Sequence, residues 1–171
     1  MWETERRVLL AVALFIGVSV SAFGATPSDY RFSAEQGNQH IEVFLEIRPF
    51  DSRNHKLEIQ DKRAFIDGKI PLGIGPGSFS AQTEFSRFEV RWNGKPVQIP
   101  TSLYADLFNP SLVPKTSPTL DRQGSIWTSV SSDGASVLLE IEGGNDAVSY
   151  KAWIVVSHDG KCLRFVADTT P

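Results

Sequence analysis

Trp127, Glu140, Lys151, Trp153 and Arg164 fall on one side of a pleated layer when the segments that carry them fold back on one another. Two indoles with an acid and bases between them form a half-wet surface that stacks on a sugar ring or on a partner's side chains, which is recognition chemistry rather than bond breaking. The competing expectation is that the Pro-rich stretch or the first strands fold over this face and make both tryptophans core. Cys162 stands four residues after His158, a spacing that suggests a thiol nucleophile and its base. A tight turn at Asp159-Gly160 puts Cys162 across from Ser157 and points His158 and Lys161 the other way, so an inert thiol is expected.

Other candidate chemistry is thinner. Serines are many, but no Gly-x-Ser-x-Gly elbow locates a nucleophile. The run Pro71-Leu72-Gly73-Ile74-Gly75-Pro76-Gly77 lacks the following Lys-Ser or Lys-Thr and the helix that a phosphate cradle needs, and reads as a structural loop. Gly143-Gly144-Asn145-Asp146 lacks the regular ligand spacing of a calcium loop and reads as a hairpin connection. Glu42 and Glu46 share a strand face about 13 Å apart by strand rise, too far for a tight acid pair. His40, His55 and His158 are the three histidines, and none pairs at the i, i+4 spacing of a helical zinc site. No metal and no cofactor is expected.

Three turn signals position these residues. Asn93-Gly94, Asp133-Gly134 and Asp159-Gly160 each sit between alternating apolar stretches. Counting outward from the first pairs Trp92 with Lys95, Arg91 with Pro96 and Val90 with Val97. The second pairs Val130 with Val137, Thr128 with Leu139, Trp127 with Glu140 and Ile126 with Ile141. A four-residue loop at 143–146 pairs Ile141 with Val148, Leu139 with Tyr150 and Val137 with Ala152. The third turn pairs Val156 with Leu163, Ile154 with Phe165, Trp153 with Val166 and Lys151 with Asp168. Upstream, Ile41, Val43, Leu45 and Ile47 alternate with polar partners as in a half-buried strand, and shorter strands are expected at Leu57–Ile59 and Ala64–Ile66. Thr101 to Phe108 is the best helical candidate, one short helix near 102–108, stopped by Asn109-Pro110. The expected fold is all-β: an antiparallel two-layer sandwich or flattened barrel with a C-terminal four-stranded meander.

Residues 1–24 read as a secretory signal peptide: Arg6 and Arg7, an apolar run from Val8 to Val20, then small residues. That run has 13 residues, short of the roughly 20 a spanning helix needs. Its removal takes away two acids and two bases and leaves the net charge at -3, with no basic excess for nucleic acid. Residues 25–171 are expected to form a single β-sandwich domain without a membrane span. Cys162 is the one cysteine, so no internal disulfide supports the fold.

The functional expectation is an exported module, secreted or periplasmic, that binds a protein or carbohydrate partner in the cell envelope without catalysis. The alternative is a small glycosidase-like hydrolase with carboxylates from separate strands. The balance leans away from an enzyme.

Overall fold

A computed structural model describes residues 28–75, 77–115, 125–145 and 148–168; the expected signal peptide lies outside them. Two antiparallel four-stranded sheets face each other. The first holds β1 (Asp29–Gln36), β2 (Gln39–Pro49), β5 (Thr83–Trp92) and β6 (Lys95–Val97), in that spatial order. The second holds β7 (Ile126–Val130), β8 (Ser136–Asn145), β9 (Val148–Ser157) and β10 (Cys162–Asp168), as an ordered meander. A hairpin of β3 (Leu57–Gln60) and β4 (Arg63–Ile66) forms a separate pair. No helix among the described residues is long and apolar enough to cross a membrane.

The core lies between the two sheets because each strand alternates. Ile41, Val43 and Leu45 of β2 and Phe88, Val90 and Trp92 of β5 meet Val137, Leu139 and Ile141 of β8 and Ala152, Ile154 and Val156 of β9. Burying one such aliphatic side chain contributes about 1.5–3 kcal/mol. Ile47 still packs against this core, and the alternation breaks in β5 instead, where Ser86 is the extra residue of a bulge opposite Glu46 and Ile47. Two hydrogen bonds tie the layers across the core: Tyr30 Oη donates to Thr128 Oγ1 at 3.0 Å, and Trp92 Nε1 donates to the Gly134 carbonyl at 2.9 Å. The first satisfies Thr128, the hydroxyl residue that alternation places on the apolar face.

The three turn signals behave differently. Asn93 and Gly94 both take positive φ (50° and 75°), the two-residue turn that pairs Trp92 with Lys95 as expected. At Asp133-Gly134 only the glycine does so; the four-residue connection is still symmetric, and the expected pairs from Ile126–Ile141 to Val130–Val137 form. At Asp159-Gly160 the glycine alone again has positive φ, and Ser157 N donates to Lys161 O across a three-residue loop. That loop moves the register by one residue: Cys162 pairs with Val156 rather than Ser157, Phe165 rather than Val166 pairs with Trp153, and Ala167 rather than Asp168 pairs with Lys151. A slip of one exchanges the two faces of a strand. Leu163 and Phe165, expected in the core, are 60% and 59% exposed, and Arg164 turns inward.

Two further expectations are corrected. Gly143, Gly144 and Asn145 extend β8 instead of forming a loop, so Val137 pairs with Val156 and Leu139 with Ile154. The displacement is even, so the inward residues stay inward. The helix near 102–108 is only a 3-10 turn at Thr101–Leu103. Beyond it, Leu72 N donates to Asp106 O and Phe108 N to Leu72 O, so bridging to the glycine loop uses the groups a helix would need. A helix of two turns between Pro100 and Pro110 has little to offer against that.

Candidate functional site

Cross-strand pairing sets the outer face of the second sheet in rows. Trp127, Glu140, Trp153 and Phe165 form one; Ser129, Leu138, Val155 and Leu163 form the next. Of the five residues singled out from the sequence, Trp127, Glu140, Lys151 and Trp153 share this face. Arg164 does not, because the three-residue loop at the last turn, one residue longer than expected, puts it on the inner side. There its guanidinium grips Asp106 through two contacts, Nη1 to Oδ1 and Nη2 to Oδ2 at 2.9 Å, and Nη1 also donates to the Leu103 carbonyl at 3.1 Å.

A charge cluster borders the aromatic row. Lys115 Nζ lies 2.8 Å from Glu140 Oε1 and 2.7 Å from Glu142 Oε1, and its side chain is only 4% exposed. Lys151 Nζ reaches the same two oxygens at 3.3 and 2.7 Å and sits 5.9 Å from the Trp153 ring centre. Trp153 Nε1 donates to the other oxygen of Glu140 at 3.0 Å. Burial pushes both carboxyls up, but hydrogen bonds from the lysines, and from Trp153 to Glu140, outweigh it and hold both below the usual carboxylate range. Lys115 is raised above the ordinary lysine value because its two carboxylates outweigh desolvation, and Lys151 is raised chiefly by Glu142. The cluster therefore holds two anions and two cations at neutral pH. Lys115 gives no sequence signal: it follows Pro114 in a stretch without period, and its role depends on the parallel bridge of Pro114 to Ile126.

The first sheet's outer face is unlike this one. Phe44 is ringed by the guanidiniums of Arg31, Arg87 and Arg91 at 6.0, 4.9 and 5.3 Å, and Arg87 and Arg91 pair with Glu89. Glu46 is paired with Arg87 and Glu42 lies near His40, so both carboxylates of that strand face are engaged by cations or imidazole. Such a lattice is a solvated surface.

A second polar group, gathered around buried Glu84, pins the β3–β4 hairpin. His55 stacks on Phe50 with ring centres 4.8 Å apart, its Nδ1 2.8 Å from Asp67 Oδ2 and its Nε2 2.8 Å from Glu84 Oε2. Arg48 Nε donates to the other Glu84 oxygen at 2.8 Å. The hydrogen bond from His55, with help from the Lys56 amide, holds the Asp67 carboxyl below its ordinary value.

Two clefts of about 390 and 510 Å³ meet at Ser149 and Tyr150. The smaller is lined by Ile70, Pro71, Leu72 and Ile74; the larger by Ser111, Ser125, Glu142 and Lys151. Between them the glycine loop is structural, as expected: at Gly73 (φ +81°) an added Cβ would stand 2.8 Å from Tyr150 Cε1 and closer still to the Phe108 carbonyl. Tyr150 is 1% exposed, and its hydroxyl has no hydrogen-bond partner among the described residues. Burial, then the Asp106 charge, pushes its pKa far up, only partly offset by Arg164. Tyr150→Phe should therefore raise the unfolding free energy by about 1 kcal/mol, because it removes an unmet polar group. Chemical denaturation measures this, and a loss of stability of similar size would mean that the hydroxyl has a partner.

Cys162 is half-buried on the inner side of β10. Desolvation, and secondarily Asp159, pushes its thiol up, the reverse of what a nucleophile needs. No protein-family model matches this chain, and neither a curated protein nor a solved structure matches it, so no residue role carries over from a relative.

Proposed function

We propose that this chain is an exported β-sandwich module that binds a protein partner, without catalysis, through the outer face of its second sheet. The observation that carries the reading is the contrast between the two outer faces: a salt-bridged lattice on one sheet, and on the other two rows dominated by Trp127, Trp153, Phe165, Leu138, Val155 and Leu163. Aromatic anchors beside aliphatic ones, rimmed by the paired charges of Lys151 and Glu142, match the composition of a protein-recognition surface. A glycan would stack on the indoles but would leave the aliphatic row without a partner. Export is supported by the amino-terminal residues: two arginines, a largely apolar run of 13 residues and a small-residue exit.

The hydrolase alternative fares worse on electrostatics. A glycosidase needs one carboxyl kept protonated by a raised pKa beside one that stays ionised. Glu140 and Glu142 are both lowered and both gripped by the same two ammonium groups.

The test places a photo-cross-linking residue at Val155 or, on the other sheet, at Ser33, in cells that export the chain. A discrete heavier adduct is expected from position 155 and not from 33. Trp153→Ala should cut its yield about tenfold, the size expected of an interface anchor. Equal adducts from both positions, or none from 155, would overturn the reading, and binding on a glycan array in their place would point to a sugar.

A further inference from the structure

We infer that β10 is the seam of a symmetric dimer in which the β10 strands of two copies pair antiparallel about Phe165 and join the second sheets into one of eight strands. This goes beyond the partner-binding reading: it uses the edge of the sheet, shares Phe165 and Leu163 with the proposed face, and leaves Trp127, Glu140 and Trp153 open.

The four sheet edges differ in how they are guarded. A bare edge strand is a template for another strand, and proteins protect such edges with charges, proline or a covering segment. β6 carries Lys95 and Pro96, both exposed. β1 carries exposed Asp29, Arg31 and Glu35. The edge of β7 is occupied, since Ile126 N donates to Val113 O and Lys115 N to Ile126 O. β10 carries Arg164, which points inward and is engaged by Asp106, while its outer face shows exposed Leu163 and Phe165 with Ala167 following.

Its hydrogen-bonding groups are also available. Ser157 N donates to Lys161 O, and antiparallel bonding alternates from that pair. Leu163, Phe165 and Ala167 therefore bond to β9, whereas Cys162, Arg164 and Val166 turn their amides and carbonyls outward. No loop or bridge hydrogen bond among the described residues uses those outward groups.

Strand length selects the register. β10 runs from Cys162 to Asp168, and Phe165 is its midpoint. A twofold axis at Phe165 matches the strand over its whole length, sets Arg164 against Val166 of the second copy, and sets Leu163 against Ala167. Shifting the axis to Arg164 would oppose two arginines. At Phe165 the two copies meet as a non-hydrogen-bonded pair, the closer kind of side-chain contact, and a cross-strand aromatic pair is among the favourable ones. A twofold interface of this kind closes on itself, so assembly stops at two.

Sedimentation of the full chain across a concentration series up to about 100 μM should show twice the chain mass. Phe165→Lys, which opposes two ammonium groups at the axis, should give a monomer with unchanged strand content. Val166→Pro should do the same, because it removes an outward amide that β9 does not use. In a Cys162→Ser background, oxidised Phe165→Cys should form a covalent dimer, since non-hydrogen-bonded partners place their Cα atoms about 4.5 Å apart, and Leu163→Cys should not. A wild-type monomer throughout the series, a dimer indifferent to both Phe165→Lys and Val166→Pro, or cross-linking through position 163 in place of 165 would each overturn the proposal. Trp153→Ala should leave the dimer intact, which separates this seam from the partner-binding face.

Discussion

Replacing Asp106 with alanine should lower the unfolding free energy by about 3 kcal/mol, the cost of leaving a partly buried charge without its partner. Asp106 is 9% exposed, and its two oxygens take both ends of the Arg164 guanidinium. The pair fastens the 101–108 segment to β10, which otherwise share the Arg164 contact with the Leu103 carbonyl. Removing both charges in Asp106→Ala/Arg164→Met should recover most of the loss, because a buried pair broken on one side costs more than the pair replaced by apolar groups. Urea denaturation of the two single variants and the double variant measures this. Additive losses would mean that the two side chains act independently.

Lys115→Met should cost a comparable amount, about 2–4 kcal/mol, discounted because Glu142 is partly exposed. It removes the more buried of the two cations that hold Glu140 and Glu142. The effect should depend on pH in a definite sense. The two carboxyls have folded-state values below their unfolded ones, so their stabilisation is fully present above the ordinary carboxylate range and is lost as pH falls through the lowered values. Lys115 and Lys151 are raised, so their share is present below the ordinary lysine value and is lost as pH rises through the folded one. The cluster's own contribution should thus be level from about pH 5 to pH 10. The deficit of Lys115→Met should be largest on that plateau and shrink in acid, where protonated carboxyls need no cation. Thermal unfolding from neutral pH down to about pH 3 tests this against the unperturbed carboxylate values; a deficit that does not change with pH would assign Lys115 a packing role only.

The class of fold was legible because period-two alternation survives in nearly every strand, and Asn93-Gly94 states its own turn. β1 is not among the strands expected from the sequence, although Tyr30, Phe32 and Ala34 carry the same alternation between polar neighbours. Asp159-Gly160 carries a turn signal too, but an Asp-Gly pair is compatible with two-residue and three-residue loops. Here Asp159 accepts from the Lys161 amide at 3.3 Å and the longer loop forms. One residue of loop decided whether Arg164 belongs to the surface or to the interior. The even displacement at Gly143–Asn145 did no such harm, so Trp127, Glu140, Lys151 and Trp153 stayed together. Lys115 and Asp106 were hidden because tertiary bridging, not local period, sets where Pro114 and Leu107 lie.

The two sheets also divide the chain by sequence. The first uses strands drawn from residues 29–97, the second strands drawn from residues 126–168, and no strand crosses between them. An emerging polypeptide can therefore complete one layer before the other has left the ribosome, with most pairings made over short loops that close quickly. The cost is an interval in which Ile41, Val43, Leu45 and Val90 line an uncovered apolar floor, the moment at which a holding chaperone would matter most.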